Sequence, residues 1–166
     1  TIKSKPLLLT HFHMEHLSGL LYMMKKKDIS VDFGKIYLPD VFSKKEMSRT
    51  LVLLLLADLL KESGLPSRQV SLFALVDALL ENKQNVELLS RGKLFENKYQ
   101  ALWPDTDAIR KETDEVYNRI CEDGKFKEVM DVLLEFAEKL RLMVWCMTGD
   151  GNKAAESVVC DTGVGA

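Results

Sequence analysis

The chain has few cysteines and no excess of positive or negative charge. These two features indicate which classes of protein it does not belong to. Its three cysteines, Cys121, Cys146 and Cys160, are scattered over the second half of 166 residues and form no CxxC pair. A secreted domain held by disulfides needs a denser, paired set, so we expect a reducing, cytoplasmic location. Lys and Arg number 23 against 25 Asp and Glu. No basic excess therefore indicates a nucleic-acid or membrane-surface partner.

Long apolar runs are also missing. The longest, Leu51 to Leu60, contains Asp58 and is about half of the roughly 20 residues that cross a bilayer. We therefore expect no membrane span in this segment. With 46% hydrophobic residues, the composition is that of one globular domain, residues 1–166.

The two ends of the chain predict a fragment. The chain starts at Thr1 without a methionine, and its first apolar strand follows within a few residues. It stops at Ala166, just after another apolar segment, Ser157 to Cys160, which reads as a short strand. We expect a piece of a longer protein, and one alternative is that this piece by itself is neither active nor well folded.

The chain alternates short apolar strands with helical patterns. Leu7 to Thr10 predicts a buried strand, and residues from Glu15 onward carry apolar side chains at three- and four-residue steps, which predicts a helix. Lys35 to Leu38 predicts a second strand. Val86 to Leu89 and Tyr99 to Trp103 predict two more, and their order suggests a hairpin.

Two helical stretches, at about residues 43–82 and 105–145, separate these strands. Ser43 and Glu46 have the spacing of a capping box. The helix after Ser67 is expected to bury Val70, Phe73, Ala74, Val76 and Leu80. The second stretch breaks near Asp123-Gly124, and its second half is expected to bury one stripe made of Val129, Val132, Leu133, Phe136, Leu140, Met143 and Val144.

All three histidines of the chain lie within residues 11–16, as His11, His13 and His16, with Glu15 between the last two. Imidazole and carboxylate are ligands that hold zinc and similar ions. Two rings on alternate residues leaving a strand can converge on one ion, and Glu15 and His16 can face a second position. Two metals would polarise a substrate oxygen and activate a bridging water. The alternatives are a single structural metal site, or histidines clustered by chance.

The segment from Leu7 to Leu20, LLLTHFHMEHLSGL, resembles the H-x-H-x-D-H signature of the metallo-β-lactamase superfamily. Three further stretches are similar to the branch related to competence proteins of DNA uptake: Val86 to Phe95, Tyr99 to Pro104, and Asn152 to Val159. The resemblance implies an α/β (α+β) fold, namely part of an αββα sandwich with a mixed sheet, into which the two helical stretches are inserted.

The resemblance also implies a site and a reaction. His11 and His13 would bind the first metal, and Glu15 and His16 the second. The metals would be one or two divalent ions, zinc first, with manganese and iron as alternatives, and Glu15 would be the catalytic carboxylate. The expected reaction is hydrolysis by a metal-bound hydroxide. The substrate would be a small molecule or a nucleic acid with a phosphodiester, another ester or an amide.

Two departures from the family pattern put this site in doubt. Glu15 stands where the family has aspartate, and no histidine follows His16. Thr148-Gly149-Asp150 matches the family's T-G-D motif superficially, but it precedes the N-x-x-S-[IV]-V-like strand instead of following it, so we interpret it as a turn. The competing hypothesis is a degenerate domain whose helical insertions bind a protein partner without catalysis.

Trp103-Pro104 has two interpretations. An aromatic at a strand end can line a pocket, but it more often belongs to the core, and the core interpretation is preferred. No motif identifies substrate-binding residues.

Overall fold

The computed structural model describes residues 2–3, 5–12, 14–26, 31–62, 72–81 and 85–151. In these ranges the strands are β1 (Ile2–Lys3), β2 (Leu7–Leu8), β3 (Val31–Asp32), β4 (Ile36–Pro39), β5 (Val86–Leu89), β6 (Leu94–Phe95) and β7 (Tyr99–Gln100). The helices are α1 (Met14–Lys25), α2 (Ser48–Glu62), α3 (Leu72–Glu81), α4 (Thr106–Glu122) and α5 (Lys127–Cys146), with a single 3₁₀ turn at Lys45–Met47 before α2.

A parallel sheet with the order β2-β4-β5 lies at the centre. Leu7 pairs with Ile36, and Ile36 pairs with Val86. The β1 and β3 pair, also parallel, immediately precedes β2 and β4 along the chain. All four residues of β4 are buried, as expected for a central parallel strand covered on both faces, where an apolar run replaces strict alternation.

Helices cover one face of this sheet and a small hairpin covers the other. Ile36 and Leu38 point into the main core, which side chains from α1, α2, α3 and α5 complete. Tyr37 and Leu89 point the other way and pack with Ala101 and Phe95 beneath the β6–β7 hairpin. The alternation of β4 side chains between two apolar layers is the period of two expected for a strand.

The predicted strands and helices are largely confirmed. Helix α1 begins one residue before Glu15, and the second helical stretch is the expected helical pair, α4 and α5, with the break at Asp123-Gly124. The fold is mixed α+β. The predicted strand at Ser157 to Cys160 lies outside the described residues. No helix within the described ranges is long and apolar enough to cross a bilayer.

The expected hairpin between residues 86–89 and 99–103 is wrong. Strand β5 pairs in parallel with β4, and the antiparallel partner of β7 is β6, with Phe95 opposite Tyr99. In place of the predicted mixed sheet, the described part of the chain has two wholly parallel sheets, β1-β3 and β2-β4-β5, and a separate antiparallel hairpin. The VELL segment is buried along most of its length, which suits a parallel sheet rather than a half-exposed hairpin strand.

The capping box at Ser43 is also wrong. Ser43 donates its hydroxyl hydrogen to Asp40 Oδ2, at 2.7 Å, and its N–H to Asp40 Oδ1, at 3.0 Å. Ser43 thus closes a turn behind β4. Position 44 caps the 3₁₀ turn without any side-chain hydrogen bond. The Asp40 carboxylate, three residues upstream, accepts both hydrogen bonds that Ser43 donates, so this serine belongs to a turn and does not cap the helix.

The apolar faces predicted for α3 and α5 are rotated from the observed ones. In α3 the predicted Val76 is buried, joined by Leu72, Leu75 and Leu79, whereas the predicted Phe73 and Leu80 are exposed. The predicted Val70 lies outside the described residues. In α5 the predicted Leu133, Leu140 and Val144 are buried, joined by Met130, Ala137 and Arg141, whereas the predicted Val129, Val132, Phe136 and Met143 are exposed. Both helices are apolar on more than one face, so periodicity alone did not select the packed one.

The one acidic residue in the apolar run Leu51 to Leu60 is Asp58, and its carboxylate has a hydrogen-bond partner. The residue is buried, and its Oδ2 accepts the N–H of Leu72 at 2.7 Å. Leu72 is the first residue of α3, where N–H groups have no partner within the helix and the dipole favours a negative charge. The carboxylate therefore joins α2 to the start of α3.

Arg141 ties the α4–α5 pair to the end of the central strand. This arginine is only 7% exposed. It donates to both carboxylate oxygens of Glu138, at 3.0 and 2.7 Å, and to the carbonyls of Phe42 and Ser43, at 3.1 and 3.3 Å. Ser48 donates to the same carboxylate at 2.5 Å. The Arg141 hydrogen bonds, opposed by partial burial and helped by Ser48, lower the pKa of Glu138 to about 2, so this pair stays ionised down to strongly acidic pH.

Replacing Arg141 by methionine is expected to destabilise the chain by about 3 kcal/mol, because it leaves a partly buried carboxylate and two carbonyls without their donor. Urea unfolding followed by circular dichroism measures the loss. The matched control is Arg119→Met, which removes an exposed ion pair with Glu115 on α4 and should change stability by less than about 0.5 kcal/mol. Equal losses in the two variants would contradict this role for Arg141.

Candidate functional site

The histidine cluster lies where the central sheet meets its first helix. Strand β2 ends at Leu8, and the main chain stays fixed one residue further, because the Leu9 N–H donates to the Tyr37 carbonyl at 2.9 Å. Helix α1 begins at Met14. His11 therefore leaves the carboxyl end of a parallel strand. In open sheets of this kind, ligands bind in the crevice outside that end of the strands.

The ring of His11 is oriented by its neighbour. The Thr10 hydroxyl lies 2.8 Å from His11 Nδ1. A partner on one ring nitrogen orients an imidazole, which is how metal-ligating histidines are commonly held. Imidazole and carboxylate donors are the chemistry that zinc prefers, so the donor set of the cluster fits the predicted ion.

The structure does not describe the side chains of the other three predicted ligands. His13 falls outside the described residues. Glu15 and His16 belong to the first turn of α1, but their side chains are outside the described part. Among the residues that are described, no group of three or more His, Cys, Asp or Glu side chains is arranged to hold a metal ion. The proposed ligand set therefore stays a prediction.

Beside Thr10, the strand ends open into a cleft of about 260 Å³. The ends of all three central strands contribute to its wall, and the β6–β7 hairpin with the segment after it forms the other side. Its lining consists of Leu8, Leu9, Thr10, Pro39, Leu89, Phe95, Gln100, Ala101, Leu102, Trp103 and Pro104. The cleft thus lies beside Thr10, the residue that precedes His11.

Trp103 lines this cleft and is not a core residue. It is 59% exposed, while Pro104 is buried. The preferred core interpretation is therefore wrong for Trp103 and the pocket interpretation is right. The cleft could not otherwise be predicted from the sequence, because its remaining lining residues come from segments that are far apart in the chain.

The hairpin wall is held against the sheet by Tyr37 and Glu96. Tyr37 packs on Phe95, with ring centroids 5.3 Å apart, and donates its hydroxyl hydrogen to Glu96 Oε1 at 2.5 Å. Burial, with this hydrogen bond, raises the pKa of Tyr37 above its usual value. Glu96 and Asn97 both have positive φ, 51° and 54°, which is uncommon for a glutamate and turns the hairpin back sharply.

The far end of the wall is fixed by Asp105. Its side chain accepts the N–H of Ala108 at 3.1 Å, capping α4, and also accepts from Arg91 Nη1 at 3.1 Å. The Ala108 N–H, then Arg91, lower the pKa of Asp105 below its usual value. The Arg91 N–H donates to the Pro104 carbonyl at 2.8 Å. The segment that carries Trp103 is therefore anchored immediately after it.

The structure separates Asp150 from the histidine cluster. Thr148 pairs with Val86, the first residue of β5, whereas His11 follows the last residue of β2, two strands away and at the other end of the sheet. Thr148 Oγ1 donates to the Trp145 carbonyl and accepts the Gly151 N–H. Residues 149–151 are helical, so Thr148 caps the start of a helix, and the turn interpretation of the T-G-D sequence is wrong for these residues.

Comparison with known proteins gave no relative: no family model, no curated protein and no solved structure matches the chain significantly. The resemblance to the metallo-β-lactamase superfamily therefore rests on the motif in this sequence.

Removing the Tyr37 hydroxyl is expected to loosen the hairpin wall. In Tyr37→Phe the ring packing remains and one hydrogen bond, worth about 1 kcal/mol, is lost. Hydrogen exchange of the Ala101 amide, which donates to the Lys93 carbonyl inside the hairpin, should quicken by roughly fivefold. Tyr22→Phe removes the hydroxyl of a tyrosine on α1 and should leave that rate unchanged. Equal Ala101 exchange rates in the wild type and Tyr37→Phe would contradict this role of the Tyr37 hydroxyl.

Proposed function

We propose that the chain is the metal-binding part of a metal-dependent hydrolase of the metallo-β-lactamase type, in which His11, His13, Glu15 and His16 hold one or two divalent ions, zinc first. The observation that carries the proposal is the H-x-H-x-E-H cluster between the carboxyl end of a buried parallel strand and the start of a helix. When bound, the metal would supply an activated water for attack on a phosphodiester, another ester or an amide.

The described residues support this proposal through positioning. Hydrogen bonds from Leu7 and Leu9 to β4, each 2.9 Å, hold β2 in place up to two residues before His11, and Thr10 orients the His11 ring. A site on a rigid strand end keeps its ligands in register more closely than one on a free loop. The first turn of α1, where Glu15 lies, also presents the positive end of a helix dipole, which favours developing negative charge.

The nucleic-acid alternative for the substrate rests on the resemblance to the competence-related branch alone. The near-neutral charge of the chain gives it no support, because phosphate contacts in nucleic-acid complexes depend on clustered Lys and Arg. A small uncharged ester or amide is therefore an equal candidate in the choice of test substrates.

A non-catalytic interaction module is the second candidate function, and one surface favours it. Between α2, α3 and α5 lies a groove of about 570 Å³ with Leu59, Phe73, Val129, Val132 and Phe136 in its lining. All five of these side chains were predicted to be core or to lie in an apolar run, yet all five are exposed. Exposed apolar surface of this kind is typical of protein-binding sites.

Elemental analysis of the purified chain tests the proposal. We expect about one or two equivalents of zinc, manganese or iron, and loss of that metal, with loss of any phosphodiesterase or esterase activity, in the double variant His11→Ala/His13→Ala. Asp150→Asn is the matched control and should keep its metal, because the structure places this aspartate two strands away.

Two results would count against the proposal. Metal retained in the double variant would mean that the histidines are not the ligands. A chain that binds no metal after refolding in zinc would favour the interaction module, in which Glu15 and the missing later histidines mark a degenerate site.

A further inference from the structure

The cleft beside His11 has the chemistry of an aromatic subsite. Of the residues that line it in the described part of the chain, none carries a charge, and the polar side chains are those of Thr10 and Gln100. A phosphate or a carboxylate would lose its hydration there, and no described lining residue supplies a positive charge to compensate for it. The part of a ligand that enters this cleft must therefore be uncharged and largely apolar.

The size of the cleft limits the ligand further. Sites for whole drug-sized molecules have volumes of about 300 to 1,000 Å³, and this cleft has about 260 Å³. It therefore accommodates one ring or a short branched group, while the rest of the ligand stays outside. His11 directly follows the lining residue Thr10 in the chain.

The wall offers a stacking platform at a defined position. Trp103 exposes 59% of its surface, and the chain on both sides of it is fixed: Ala101 donates to Lys93 and accepts from Gly92, at 2.8 Å each, and Pro104 accepts from Arg91. A large, exposed aromatic held by a rigid backbone loses little entropy when a planar group stacks on it, which is why such residues are frequent in binding sites.

We infer that this cleft is a subsite for an uncharged planar ring of the substrate, stacked on Trp103 next to the histidine cluster. This inference deepens the proposed function and rests on it for the identity of the ring as part of a substrate. A nucleobase and the aryl group of an ester are both uncharged planar rings. The experiment below tells which of the two the cleft binds.

Ring binding is measured with the metal removed by a chelator, so that it is independent of the metal site. The full chain, labelled with ¹⁵N, is titrated with adenosine, with benzamide and with ribose 5-phosphate, which has no ring base. The indole N–H signals of Trp103 and Trp145 are assigned with Trp145→Phe. We expect adenosine, benzamide or both to shift the Trp103 signal, and ribose 5-phosphate to leave it unchanged.

The variant Trp103→Leu should weaken ring binding about tenfold, in line with the loss of one stacked aromatic, and Trp103→Phe should restore part of it. Trp145→Phe is the matched control and should bind like the wild type. Binding of adenosine alone identifies a nucleobase as the source, and binding of benzamide alone identifies an aryl group.

Three results would overturn the inference: no ring probe shifts Trp103, ribose 5-phosphate binds as well as the rings do, or Trp103→Leu binds adenosine unchanged. The outcome is separable from that of the metal proposal. Ring binding in a chain that holds no metal would support the subsite and contradict the proposed hydrolase function. Metal binding without ring binding would support the metal site and contradict the subsite.

Discussion

The buried guanidinium of Arg141 is the constraint on which the arrangement of the layers depends. It lies on α5, yet two of its acceptors are carbonyls of the turn that follows the central strand β4. The α4–α5 pair is therefore held to the carboxyl end of the sheet by a satisfied ionic network, which is costly to break on one side. The cleft opens at the same end of the sheet, and His11 follows β2 there.

Much of the fold could be predicted from local pattern. The strands at β2, β4 and β5 and the helices α1, α4 and α5 follow from apolar periodicity, because burial of one face is needed wherever an element forms. The apolar pattern of each segment could not show which strands pair with each other. The parallel partner of β5 is β4, fifty residues earlier, and the hairpin involves β6, which is only two residues long. Such choices depend on contacts between distant segments.

The errors at single residues have the same origin. Ser43 has the right spacing for a capping box, but Asp40 is a closer acceptor. Phe73 and Phe136 belong to helices with apolar residues on several faces, and their rings meet edge to face on the exposed side, with centroids 6.4 Å apart. For the site, the sequence alone identified the histidine cluster, since its density is local. It did not identify the cleft, whose walls meet only in the folded chain.

The claim that the histidines bind a metal next to this cleft is tested most directly by X-ray absorption at the zinc edge of the loaded chain. The account predicts a shell of nitrogen and oxygen at about 2.0 Å with the scattering pattern of imidazole rings. A shell of sulfur at about 2.3 Å would place the ion on Cys121, Cys146 or Cys160 instead, and would contradict the account.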